Sequence, residues 1–296
     1  MVSVPTGSER GRACGMRAIR TALLTLAALC TLLAAHGAGS GSALAMPAGR
    51  NGSPRAIASG MPPAARALCR RLRARLAPLA LVPGRRRLKV LATGDSMIYP
   101  LDEVLAIERP RRMRVVDSRH DGTGLTTNTV NWHALARRQA ARIRPAATVI
   151  SIGGRDGGIP LAGPDHQLVE CCSSAWLHAY ARLLRPLARA YLRGGAAQVY
   201  WLLLPAPREQ ARAGLFEAVN DAIELLAVEM GPRMHIIPTA AVLSPGGFQS
   251  TITFEGITVH PRAPDGIHLN HEGACVERTL VLEAMLADGQ LVHREP

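Results

Sequence analysis

The chain has 296 residues, of which 48% are hydrophobic, 19% charged and 3% aromatic. That content supports one well-filled core and excludes both a wholly disordered chain and two large domains. The formal charge of +13 is confined to the N-terminal part: residues 1–45 carry +3, residues 46–87 carry +10 from ten arginines without one acid, and residues 88–296 balance to zero. A neutral main segment lacks the electrostatic footprint of a nucleic-acid binder. No Gly-X-Y period, heptad run or internal repeat is present, so collagen, coiled coil and solenoid are excluded.

Arg17 and Arg20 precede an apolar run, Thr21–Ala35. The run is shorter than the ~20 residues of a spanning helix. Small and polar residues follow, and then Ala43-Leu44-Ala45. This three-part layout predicts a signal peptide over residues 1–45, cleaved near Ala45, and a secreted or envelope-associated protein; an uncleaved anchor helix is the alternative. Leu29 stands before Cys30 where a lipoprotein signal needs a small residue, so lipidation is not expected. Cleavage leaves Cys69, Cys171, Cys172 and Cys275, and export permits two disulfides among them. A Cys171–Cys172 bridge needs a tight vicinal ring, so bridges from this pair to Cys69 and Cys275 are expected, with buried free thiols as the alternative. No paired CxxC motifs occur, and no metal site is expected.

Residues 46–87 read as a basic leader rich in Pro, Gly and Arg. Within it, residues 63–79 fit a short amphipathic helix that packs on the main domain; contact with an anionic membrane or wall surface is the second reading. From residue 88 the pattern alternates. Strands are predicted at Leu88–Thr93, Met113–Asp117, Ala147–Ile152, Ala197–Leu204 and Met234–Ile237. Helices are predicted at Asn131–Arg144, Ser174–Arg193, Glu209–Met230 and Glu272–Leu286. Thr251–His260 reads as a hairpin around Glu255-Gly256. Strands alternating with helices predict a three-layer α/β/α sandwich over residues 88–296.

Open parallel sheets gather their sites at the carboxyl ends of the strands. Gly94-Asp95-Ser96, Thr123-Gly124-Leu125 and Gly153-Gly154-Arg155-Asp156 each follow a predicted strand, and Asp265-Gly266-Ile267-His268 precedes the last helix. A serine hydroxyl becomes a nucleophile when a base removes its proton. His268 can serve as that base, and Asp265, three residues earlier, can hold its other ring nitrogen. Ser96 at a helix start has N–H groups pointed at a developing oxyanion, and Gly124 permits close backbone approach. Asp95 is expected to bond loop N–H groups. Trp132, Trp176 and Trp201 fall in core patterns, His120 in a solvated loop, and His271 reads as a cap of the last helix.

GDS at 94–96, glycine at 124, GGRD at 153–156 and DGIH at 265–268 resemble blocks one, two, three and five of the SGNH/GDSL hydrolases. The TGL segment at 123–125, the turn at 153–157 and the R-x-x-DGxH block at 262–268 resemble its exported bacterial branch long catalogued as a domain of unknown function. The resemblance implies a flavodoxin-like parallel sheet in order 2-1-3-4-5. It implies Ser96 as nucleophile, His268 as base and Asp265 as its partner, with Ser96 N–H and Gly124 N–H as oxyanion donors and no cofactor. The family places Asn where this chain has Arg155. A guanidinium there either supports the oxyanion, binds an anionic group of the substrate, or turns to solvent. The function implied is an exported serine esterase that cleaves or transfers O-acyl groups on a carbohydrate or lipid of the cell envelope. The alternative is a catalytically weak or inactive relative that binds an envelope glycan.

Overall fold

The computed structural model describes residues 60–76, 78–127 and 129–294. The expected signal peptide, its expected cleavage site and the leader up to residue 59 lie outside the described residues.

In chain order the elements are α1 (Pro63–Arg75), β1 (Leu79–Leu81), β2 (Leu88–Gly94), a 3₁₀ turn (Ser96–Ile98), α2 (Leu101–Ile107), β3 (Met113–Arg119), α3 (Trp132–Ile143) and β4 (Ala147–Ser151). There follow β5 (Leu161–Ala162), β6 (Leu168–Val169), α4 (Ser174–Leu192), β7 (Gln198–Leu202), α5 (Gln210–Met230), β8 (Met234–Ile237) and α6 (Thr239–Leu243). The chain ends with β9 (Ile252–Phe254), β10 (Ile257–Val259), α7 (His271–Ala287) and β11 (Leu291–His293). Side-chain oxygens of Asn131, Ser173 and Asn270 accept the first free N–H groups of α3, α4 and α7, which sets where those helices begin. Asn270 therefore caps the last helix, and His271 is its first residue.

Five strands form one parallel sheet in the order β3-β2-β4-β7-β8. Counted along the chain this is 2-1-3-4-5, the flavodoxin-like α/β sandwich that the alternation and the motifs imply. Alternate strand residues face opposite layers. Val90, Val149 and Tyr200 face α1, α2 and α7; Leu91, Ile150, Val199 and Trp201 face α3, α4 and α5. Both faces are covered, which is why these strands are continuous apolar runs. The β9–β10 hairpin turns on Glu255 (φ 52°) and Gly256 (φ 67°), the two positive values of a type I′ turn.

Part of the segment expected as leader belongs to this core. Ala65, Leu68, Cys69 and Leu72 of α1 are buried in the layer that holds α7. β1 pairs antiparallel with β11, Leu81 opposite Leu291.

The disulfides differ from the expected pairing. Cys69 of α1 bonds Cys275 of α7, and Cys171 bonds Cys172, their Cα atoms 3.1 Å apart. The layers decide this. Cys69 and Cys275 are fully buried on one side of the sheet, whereas Cys171 packs against the cluster on the other.

Protein unfolded without reductant should show no free thiol at these four positions, read as mass after alkylation. Cys275→Ser should cost about 2–4 kcal/mol, since the bridge spans 206 residues and constrains the unfolded chain. An unchanged Tm would argue against it.

Candidate active site

Three turns meet at the carboxyl end of the sheet. Gly94 ends β2 at φ 152°, and a Cβ there would lie 1.8 Å from the Ser151 carbonyl oxygen of β4; glycine is required by that close approach. Asp95 follows, fully buried. Its Oδ1 accepts the Met97 N–H at 2.8 Å, and its Oδ2 accepts the N–H groups of Gly153 and Gly154 at 2.9 and 3.0 Å. Burial drives the Asp95 carboxyl up to about 7 against the N–H donors that favour its charge, with Asp156 adding to the rise. Asp95 thus bonds loop N–H groups, as expected, and clamps the first and third turns together.

Ser96 opens the 3₁₀ turn. Its Oγ lies 2.8 Å from His268 Nε2, and His268 Nδ1 lies 2.6 Å from Asp265 Oδ2. With Nδ1 carrying the proton, Nε2 accepts from the serine hydroxyl. Asp265 Oδ1 accepts the N–H groups of Ile267 and His268 at 2.9 and 3.0 Å. Burial raises the Asp265 carboxyl, but these bonds outweigh it and hold it below its ordinary value. The loop that carries the pair is tied from beneath. Buried Arg262 donates through Nη2 to Ala206 O at 2.9 Å and to Ser244 Oγ, while Asn270 Nδ2 donates to Arg262 O at 3.1 Å. Arg208 N–H donates to Gly266 O at 2.8 Å.

Gly124 sits against the third turn: a Cβ there would lie 2.4 Å from Asp156 Oδ1. Asp156 is fully buried and accepts from Thr126 N–H, Thr126 Oγ1 and the Tyr180 hydroxyl at 2.7, 2.9 and 2.6 Å. This carboxylate binds the second turn to the third and to α4. The Gly124 N–H donates to Thr127 Oγ1 at 2.9 Å. The Ser96 N–H, at the first position of a helical turn, has no intrahelical acceptor.

Arg155 is exposed and lines a separate groove with Glu209, Arg212 and Leu215. It makes no hydrogen bond or ion pair to another described residue. The neighbours in the turn explain its direction: Gly154 is held inward by Asp95 and Asp156 by Tyr180, so the residue between them faces out.

The cleft at Ser96, about 400 Å³, is lined by Tyr99, Glu103, Arg119, Asp121 and Leu269 together with the His268 and Asp265 side chains. Tyr99, Glu103 and Arg119 were not singled out from the sequence. Arg119 bonds Asp102 at 2.8 Å and Asp121 at 3.1 Å, and its guanidinium lies 4.5 Å from the centre of the Tyr99 ring. One signal was available: β3 runs on to Arg119, which pairs with Gly94, so the strand end delivers it beside Ser96. His271 lies 3.6 Å from Glu103. His120 packs edge-on against Trp132, and Trp132, Trp176 and Trp201 are buried.

Gly124→Ala should destabilise the fold by about 1–3 kcal/mol, because Asp156 must yield or lose a partner; urea midpoints check this. The Asp95 contribution to stability is fully present below the unfolded carboxyl value and is lost as pH rises through about 7. A Tm–pH profile should carry this falling component in the wild type and lack it in Asp95→Asn.

Among known proteins, the family model described as "Protein of unknown function (DUF459)" matches residues 89–283. No curated protein matches the chain. Similar solved structures include TesA, at 21% identity over 67% of this chain and 97% of that one, with a TM-score of 0.43. A carbohydrate acetylesterase family member from Sinorhizobium meliloti is 12% identical over 68% and 99%, TM-score 0.44. A family two carbohydrate esterase from Clostridium thermocellum, in complex with cellohexaose, is 12% identical over 70% and 66%, TM-score 0.45. With its model matched over about two thirds of the chain, the chain belongs to the DUF459 family; its blocks, which meet at one end of a 2-1-3-4-5 sheet, resemble those of the SGNH/GDSL hydrolases.

Proposed function

We propose that the protein is an exported serine esterase or acyltransferase that acts on O-acyl groups of a carbohydrate or lipid in the cell envelope. The observation that carries this reading is the unbroken chain Ser96 Oγ–His268 Nε2 and His268 Nδ1–Asp265 Oδ2, at 2.8 and 2.6 Å. In this reading His268 Nε2 takes the Ser96 proton as Oγ attacks the acyl carbon, and Asp265 stabilises the imidazolium. The oxyanion meets the Ser96 N–H, and the Gly124 N–H as the Thr127 hydroxyl gives way. Collapse expels the alcohol with the proton from His268 and leaves acyl-Ser96. Water or an acceptor hydroxyl then takes the acyl group. The charged and aromatic walls of the cleft favour a short acyl group on a polar alcohol over a long acyl chain.

A second reading has one specific observation in its favour. The position where the family carries an amide donor holds Arg155, whose side chain is exposed. A domain short of that donor would bind an acylated glycan and turn it over slowly.

A fluorophosphonate probe separates the two. Labelling that is abolished by Ser96→Ala supports the esterase; a wild type that resists the probe supports the binding domain. Ser96→Ala and His268→Ala should each lower kcat by at least about a thousandfold with little change in Tm. Asp265→Asn should cost less, because Asp265 is exposed and water competes for its bond. Arg155→Ala should leave kcat on a neutral acetyl ester near the wild-type value, where loss of a working oxyanion donor costs roughly a hundredfold or more. A large fall in that variant would return Arg155 to the oxyanion site.

A further inference from the structure

The other end of the sheet carries a second pocket. It occupies about 440 Å³ between α1, α7 and the turn that leads into β3. Arg109 and Pro110 on its wall precede the first residue of β3, whereas Ser96 follows the last residue of β2, so the two sites lie at opposite strand ends. Four arginines line it, Arg70, Arg73, Arg109 and Arg278, and no acid does among the described residues. Leu79 and Leu282 form part of an apolar wall beside them.

Arg278 distinguishes this pocket from an ordinary basic surface. It is only 2% exposed. Its Nε donates to the Glu108 carbonyl oxygen at 2.5 Å. Its Nη1 is buried without a partner among the described residues. The nearby Glu108 carboxylate is taken by Arg73 at 3.1 Å. An interior guanidinium left short of acceptors is costly unless an anion meets it. Burial and the neighbouring Arg73 both lower the Arg278 guanidinium, to about 10, against the pull of Glu108. With Glu108 paired to Arg73, the guanidiniums of Arg70, Arg109 and Arg278 have no ion pair to a described residue.

We propose that this pocket is a phosphate-binding site, remote from Ser96, that takes the phosphoryl group of an amphipathic molecule. Four guanidiniums match an oxyanion of more than one charge, and their planar forks match its paired oxygens. The leucine wall beside the forks accepts the apolar portion of the same molecule. A free phosphorylated amphiphile and a phospholipid in a bilayer share this chemistry.

Calorimetric titration of the protein with decyl phosphate tests the site, with inorganic phosphate as the headgroup-only probe and decyltrimethylammonium as the apolar control. Saturable binding of decyl phosphate is expected, at least about tenfold tighter than inorganic phosphate and weakening with salt. Arg278→Lys keeps the charge and loses the fork, and should weaken it about tenfold. Arg70→Ala with Arg109→Ala alters exposed positions at the cost of one hydrogen bond, Arg109 Nε to Met113 O at 2.8 Å; it should keep the wild-type circular dichroism and bind at least about tenfold more weakly. Both should leave probe labelling at Ser96 unchanged. Flotation with vesicles of phosphatidylglycerol and phosphatidylcholine distinguishes the sources. Wild-type binding that the arginine variants lose identifies the bilayer headgroup; decyl phosphate binding without flotation identifies a free amphiphile. No saturable binding of decyl phosphate, equal affinity for the ammonium control, or full affinity in the Arg70/Arg109 variant would overturn the proposal.

Discussion

The site depends on one buried carboxylate. Asp95 sits where β2 stops and receives three backbone N–H groups, one from its own turn and two from the turn after β4. Without an acceptor those N–H groups would be buried and unpaired, which is costly at every one of them. With it, the turn that carries Ser96 and the turn that carries Arg155 become one body. Asp156 repeats the device a step further out, joining the third turn to Thr126 and to Tyr180 of α4. The serine is therefore held by backbone that two interior carboxyl groups have already ordered.

The imidazole arrives from the other side of the chain by different means. The loop before α7 carries no regular structure beyond a single bridge between Arg262 and Leu269. Its shape is kept by side chains beneath it, above all the Arg262 guanidinium and the Asn270 amide. Asp265 then orders its own turn by accepting two N–H groups, and His268 is aimed as a result. Rigid support under an exposed pair is what general-base chemistry needs. Asp265 and His268 face water, so the geometry is supplied by the support and very little by the strength of the ion pair itself.

The two ends of the sheet differ in how charge is satisfied. At the carboxyl end Arg119 is surrounded by Asp102, Glu103 and Asp121. At the other end four arginines share a pocket, and the neighbouring Glu108 carboxylate is already paired with one of them, Arg73. The Cys69–Cys275 bridge fixes α1 against α7 and with them two walls of that pocket. Helix α1 thus serves the fold and the pocket together: its apolar stripe enters the core, and its Arg70 and Arg73 line the pocket.

Much of this was legible in the residues alone. Apolar runs of strand length alternating with helical spacing determine a parallel α/β sheet, because such strands must be covered on both faces. Ser96 and Gly124 were legible from motif chemistry and their placement after predicted strands, and Asp265 and His268 from their block before the last helix. Position along the chain does not say which buried faces meet, and there the tertiary structure decided. It paired Cys69 with Cys275 because α1 and α7 share a layer, and left Cys171 to its neighbour across the sheet. It turned Arg155 outward because the residues on each side of it are held inward. It put Arg119 beside Ser96 through strand register, and it left Arg278 buried and short of partners among arginines from three separate segments. Local pattern determines periodicity and turn chemistry; contacts between distant segments are set by how layers stack, and only the packed chain contains that information.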